Sequence, residues 1–149
     1  MIKDTLKLKG ELTIVVKDKD GKVKDTRNEK NLVVNSGLAY ICSRMVSTSA
    51  TAMTHMAVGS GTTAATGSQT DLVSILGSRE TLDSSTSSDN TVTYVSSFEA
   101  GDGTGAITEA GIFNAATDGT MLCRTVFPVV NKGANDTMSI TWTITLSAS

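Results

Sequence analysis

The side chains of this chain that could do chemistry are few, and each can be weighed on its own. His55 is the single histidine and opens the run His55-Met56-Ala57-Val58-Gly59. An imidazole titrates near neutrality, so a lone histidine is the first candidate for a general base. Catalysis would also need a nucleophile and an orienting acid, and no G-x-S-x-G elbow occurs anywhere. Glu109 is the more pointed candidate. Alternation along Ile107-Thr108-Glu109-Ala110-Gly111-Ile112-Phe113 puts its carboxylate on one face with Ile107 and Phe113, the face expected to point inward. A buried carboxylate requires a cation, and Arg124, Arg79 and Arg44 are the candidates, so a structural ion pair is expected at Glu109. Glycoside hydrolysis would demand a second carboxylate, Glu80 or Asp102, at a set separation that no sequence spacing supplies. No catalytic residue is therefore assigned.

Metal and nucleotide chemistry fare no better. Cys42 and Cys123 lie far apart, without C-x-x-C spacing or a neighbouring histidine, which argues against zinc. Two free, buried thiols are the expectation, with a disulfide left open because sequence does not supply its geometry. The segment Gly59-Ser60-Gly61-Thr62-Thr63 lacks the Gly-Lys-Ser/Thr ending of a phosphate loop and the third glycine of a dinucleotide fingerprint. Asp18-Lys19-Asp20-Gly21-Lys22 looks superficially like a calcium loop, but Leu32 to Val34 stand where further acids would be needed. It reads instead as a hairpin turn. No cofactor is expected.

The elements that must position these residues are mostly strands. Met138, Ile140, Trp142, Ile144 and Leu146 alternate without interruption with Ser139, Thr141, Thr143, Thr145 and Ser147. Such a run makes one apolar face and one hydroxyl face, as in a sheet half buried against a core. Leu6, Leu8, Leu12, Ile14 and Val16 repeat the pattern, with Gly10 marking a bulge or a close backbone approach. A second strand is expected over residues 22–27 and a short one over 31–34. The latter leads into a helix capped by Asn35 or Ser36, whose inward face would be Leu38, Ile41, Cys42, Met45 and Val46. Further strands are expected over residues 55–59, 91–98, 106–114, 121–130 and 137–148, with Pro128 at an edge, a bulge or a strand end. Residues 62–70 and 83–90, small and polar, read as surface loops. About eight strands and one short helix predict a mainly β fold, an antiparallel β-sandwich of jelly-roll-like or immunoglobulin-like type.

Composition bounds the rest. The 149 residues suit one domain, 1–149, able to bury a real core. Charged residues make up 19%, so Ser, Thr, Asn and Gly must supply much of the exterior. Residues 1–30 carry nine Lys or Arg against six acids, and the remainder four against nine. A mildly basic N-terminal part on an acidic body suits docking on an acidic neighbour. Interleaved acids and the absence of an aromatic platform argue against nucleic acid. No apolar stretch approaches the roughly 20 residues of a membrane span, and no signal peptide is legible, so folding in a cytoplasm is expected.

Five segments, 31–37 (Asn-Leu-Val-Val-Asn-Ser-Gly), 56–62 (Met-Ala-Val-Gly-Ser-Gly-Thr), 107–113, 122–127 (Leu-Cys-Arg-Thr-Val-Phe) and 140–146, occur in an order that resembles small virion structural proteins of tailed bacteriophages. The resemblance covers most of the chain, and Ile-Thr-Glu-Ala-Gly-Ile-Phe is its most distinctive part. It implies assembly and no catalysis. Members are often labelled tail fibre, yet the chain has no heptads or Gly-periodic shaft repeats. A Ser/Thr-rich sandwich of this size is more similar to capsid decoration or cement proteins, which implies a homotrimer on the virion surface. The partners implied are the major capsid protein or tail proteins. Residues 1–9 would form an extended arm, with Met1, Ile2, Lys3, Leu6, Lys7 and Lys9 as assembly contacts. The alternatives are a tail or baseplate protein gripping host glycans through residues 62–70 and 83–102, and, last, a hydrolase using Glu109.

Overall fold

The computed structural model describes residues 5–47 and 49–148. Strand β1, Leu6–Lys17, turns into β2, Val23–Val33, through a hairpin held by its own first side chain. Asp18 Oδ1 accepts the amides of Asp20 and Lys22 at 2.9 and 3.0 Å, and Gly21 takes the positive φ of 82° that the turn needs. Strand β9, Thr137–Ala148, pairs with β1 along its whole length, from Leu6 opposite Ala148 to Lys17 opposite Thr137. Its apolar face is buried as the alternation requires, with Met138, Ile140, Trp142 and Ile144 against Leu12, Ile14 and Val16 of β1.

Nine antiparallel strands and one short helix, α1 (Asn35–Arg44), make up the described secondary structure. The remaining strands are β3 (His55–Gly59), β4 (Glu80–Thr81), β5 (Ser84–Ser88), β6 (Thr91–Phe98), β7 (Gly105–Phe113) and β8 (Met121–Lys132). Their order is β4-β3-β7-β8-β2-β1-β9-β6-β5. The two end strands are neighbours in sequence, joined only by Leu82 and Asp83. Leu82 N donates to Thr54 O and Asp83 N to Val95 O, so the sheet curls until its ends meet. The result is a barrel-like sandwich. The main core fills its inside, and a second, smaller cluster of Val34, Ala57, Leu72, Phe113 and Met121 lies on the outer face of β3, β7 and β8, beneath residues 60–79. Strand β7 is consequently buried on both faces.

Several expectations change. Strand β2 is one continuous strand and not two, although its core-side positions are Asp25, Arg27, Glu29 and Asn31. It can carry them because it meets β8 only at Leu32 and Val33, then splays away. Arg27 spans the gap, donating to Pro128 O at 3.2 Å and Val129 O at 3.0 Å, and so serves carbonyls that a neighbouring strand would otherwise take. Pro128 lies where the β7–β8 register jumps, from Ile107 opposite Val130 to Glu109 opposite Val126, so of the three settings expected for it the bulge is the one found. Residues 84–88, read as loop, form β5.

Gly10 marks a close approach and not a bulge, since its register is unbroken towards both Asn31 and Ile144. The Asn31 side chain fills the space where a Cβ would sit, and its Oδ1 accepts the Trp142 indole N–H at 3.0 Å. The helix also presents a different face. Gly37, Tyr40 and Ile41 turn inward, while Leu38, Cys42, Met45 and Val46 are exposed, the last two at 80% and 89%. Gly37 sets this orientation: a Cβ there would collide with Leu122 O, so only glycine lets the helix seat on β8. Neither Asn35 nor Ser36 caps it; Val34 is the N-cap, and Ser36 Oγ donates to Met121 O instead.

Candidate functional site

Strand alternation fails at Glu109 in an instructive way. Thr108 and Glu109 both reach the loop layer, because the register is irregular between Ile107 and Glu109. Ile107 stays in the main core, whereas Glu109 joins Gly111 and Phe113 on the opposite face. Its carboxylate is 0% exposed and fully occupied. Oε1 accepts the amides of Gly61 at 3.0 Å and Ser74 at 2.7 Å; Oε2 accepts that of Val73 at 3.0 Å and Nε of Arg124 at 2.9 Å. Nη2 of Arg124 sits 2.8 Å from the same Oε2, close enough for charge pairing though its N–H vectors aim past the oxygen. Nη1 of Arg124 donates to Thr63 O and Gln69 Oε1, both at 2.9 Å. The pair thus clamps residues 59–74 onto β7 and β8.

This clamp explains Gly59-Ser60-Gly61. A Cβ at Gly59 or Gly61 would lie 2.5 or 2.6 Å from Glu109 Oε1. The glycines clear room for an anion, and that anion is the chain's own carboxylate. Desolvation pushes the Glu109 pKa up, but the three amides and Arg124 outweigh it and hold it below its ordinary 4.5. Asp136 is likewise held low, chiefly by its bond from Lys24 at 2.6 Å. Groups with depressed folded pKa values contribute stability that is complete above the unfolded value and lost as pH falls through the folded one. Urea midpoints are therefore expected to stay level from about pH 7 to 5 and drop steeply below about 4, with a shallower drop in Glu109→Gln. Identical acid profiles for the two proteins would contradict the clamp.

The structure brings Glu109 and Arg124 together and leaves Arg79 out. Arg79 lies over the Phe113 ring at 3.6 Å, donates to Ala115 O and Asp118 O, and sits 3.5 Å from Asp71. It pins the β7–β8 turn and is not part of the Glu109 pair. His55 Nδ1 lies 2.7 Å from Thr54 Oγ1. The thiols divide: Cys123 is buried as expected, but Cys42 is exposed on α1, and the two are not joined. Among the described residues no group of three or more His, Cys, Asp or Glu is placed to hold a metal, and no helix is long and apolar enough to cross a membrane.

Several large apolar side chains are exposed at one end of the sandwich. The start of β1, the end of β2, α1, the end of β9 and the start of β6 converge there. They present Leu6, Leu32, Leu38, Met45 and Val46 to solvent. A cleft of about 220 Å³ opens between α1 and the strand tips, lined by Tyr40, Ile41, Arg44, Val92, Tyr94, Leu122, Ile144 and Leu146. At the sheet's end, β5 is exposed at every residue. Of the predicted assembly contacts, Met1, Ile2 and Lys3 lie outside the described residues. Leu6, Lys7 and Lys9 are not a loose arm, because they pair with Ala148, Ser147 and Thr145. Sequence reasoning missed the cleft, whose only signal was a tyrosine, Tyr40, inside a helical run and another, Tyr94, on a strand.

The chain matches no family model, no curated protein and no solved structure.

Proposed function

We propose that this chain is a non-enzymatic structural protein of a tailed-bacteriophage virion, a decoration or cement protein that self-associates and binds the outer surface of the head. One observation carries the reading. The groups in the resemblance segments that could do chemistry are consumed inside the fold, above all Glu109 at 0% exposure with its oxygens taken by Gly61, Val73, Ser74 and Arg124. The exterior includes apolar helix surface and an open strand edge. Exposed apolar patches and free edges are the means by which subunits bury area and add main-chain hydrogen bonds. The five segments fall on the β2–α1 junction, β3 with its glycine loop, β7, β8 and β9, so the pattern encodes the clamp and the sheet it braces.

In this reading β5 takes up a strand of the shell or of a neighbouring subunit, and the α1 end buries its apolar stripe against the same neighbours. The basic N-terminal part docks on an acidic surface. Attachment to the tail is the second reading, favoured by a hydroxyl face on β6 and β9, where half-buried Thr91 and Thr93 lie opposite half-buried Thr145 and Thr143 with exposed Thr141 beside them, which offers hydrogen bonds to host glycans. Purified protein is expected to co-sediment with phage heads that lack it. Removing residues 1–4 should weaken that binding while the fold survives, whereas a cut after Lys9 would also strip four pairings from β9. Full binding by the 1–4 deletion would discard the arm, and no binding by the intact chain would discard head decoration.

A further inference from the structure

The cleft beneath α1 has the size and chemistry of a receptor for one large side chain. At about 220 Å³ it falls below the range of about 300–1,000 Å³ typical of small-molecule pockets, yet exceeds the 150 Å³ that suffices for a benzene ring. Ile41, Val92, Leu122, Ile144 and Leu146 give it apolar walls. Two features add polar groups to these walls, which are continuous with the main core. Tyr94 is only 8% exposed and lines the cleft, but its hydroxyl has no hydrogen-bond partner among the described residues, and neither has that of Tyr40. Burial, followed by the neighbouring Tyr40 and Cys123, pushes the Tyr94 phenol up to about 12, so it stays a proton donor. Arg44 stands at the rim with Nη1 donating to Ala50 O, and among the described residues the rest of its guanidinium has no hydrogen-bond partner, which leaves it to meet an anion.

We infer that this cleft receives an aromatic or branched aliphatic side chain from a partner protein, flanked in the partner's chain by an acidic residue. The side chain enters between Ile41 and Leu146, the partner's backbone or carboxylate accepts from the Tyr94 and Tyr40 hydroxyls, and the acid pairs with Arg44. Burying such an anchor in a rimmed pocket is how small interfaces concentrate their binding energy. The inference stands on the cleft alone and holds whether or not the chain is part of a virion.

The test uses two blocked peptides, acetyl-Gly-Asp-Phe-Asp-Gly-amide and its Asn-for-Asp counterpart, titrated into the full chain and followed by amide NMR shifts. The acidic peptide is expected to shift Tyr40, Ile41, Val92 and Leu146 at millimolar concentration. It should bind about two- to fivefold more tightly than the neutral one, the range of a rim ion pair. Arg44→Gln should erase that preference but keep binding, and Leu146→Trp should fill the cleft and abolish binding. Val92→Phe serves as the second filling variant if Leu146→Trp fails to fold. Absence of shifts, shifts that survive in a folded filling variant, or equal binding of the two peptides by the unaltered chain would overturn the inference.

Discussion

Replacing Glu109 with alanine is expected to lower the unfolding free energy by at least about 3–5 kcal/mol, the cost of leaving a buried charge without its partner. The stranded cation is Arg124, which is 0% exposed. A simple buried ion pair can often be exchanged for two apolar residues at little cost, but this carboxylate also satisfies three backbone amides, those of Gly61, Val73 and Ser74. Each unsatisfied amide costs about 1–3 kcal/mol. The double replacement Glu109→Ala with Arg124→Met should therefore remain at least about 3 kcal/mol below the unaltered protein. Urea unfolding of both variants decides the matter. A double variant as stable as the unaltered chain would mean that the amides are satisfied elsewhere and that the clamp is an ordinary pair.

The second large effect belongs to Gly10→Ala. The new methyl group would occupy the position of the Asn31 side chain, deep between β1 and β2. Overpacking costs about 1–3 kcal/mol, and a displaced Asn31 leaves the Trp142 indole N–H without its acceptor, about 1–3 kcal/mol more. A total near 2–6 kcal/mol is expected. Adding Asn31→Gly should relieve the crowding but not the orphaned indole, recovering roughly half. Trp142 is the chain's only tryptophan, so its fluorescence reports directly on this site during unfolding. Equal stability of Gly10→Ala and the unaltered chain would show that Asn31 moves aside freely.

Strands β3, β7 and β8 were legible as largely apolar runs, and the strands whose buried residues were also legible were those with one wet and one dry face. Strands β1, β6 and β9 fit that description, and their alternation gave both the element and the buried residues. Strand β5 was hidden because it is exposed on both faces at the end of the sheet, so Ser84 to Ser88 carry no apolar signal. Strand β2 was cut short because its core-side positions are charged. That is tolerable only where β2 and β8 diverge and Arg27 reaches across, a feature of two distant strands that no local window contains. Helical periodicity located α1 but chose its most apolar stripe. The packing face was decided by where glycine lets two backbones touch, at Gly37 against Leu122 O. At Glu109 the burial and the need for a cation were readable, with Arg124 one of three candidates, whereas the face was not, because the irregular register between Ile107 and Glu109 shifts the parity. The paired glycines Gly59 and Gly61 carried the missing information, since both leave space for that carboxylate.

The account rests most directly on the amount of this chain in purified phage particles, measured by quantitative mass spectrometry against the major capsid protein. A copy number of the same order as the capsid subunits is the predicted result and places the chain on the head. A small fraction of that number would move it to the tail, and its absence from the particles would contradict the virion reading.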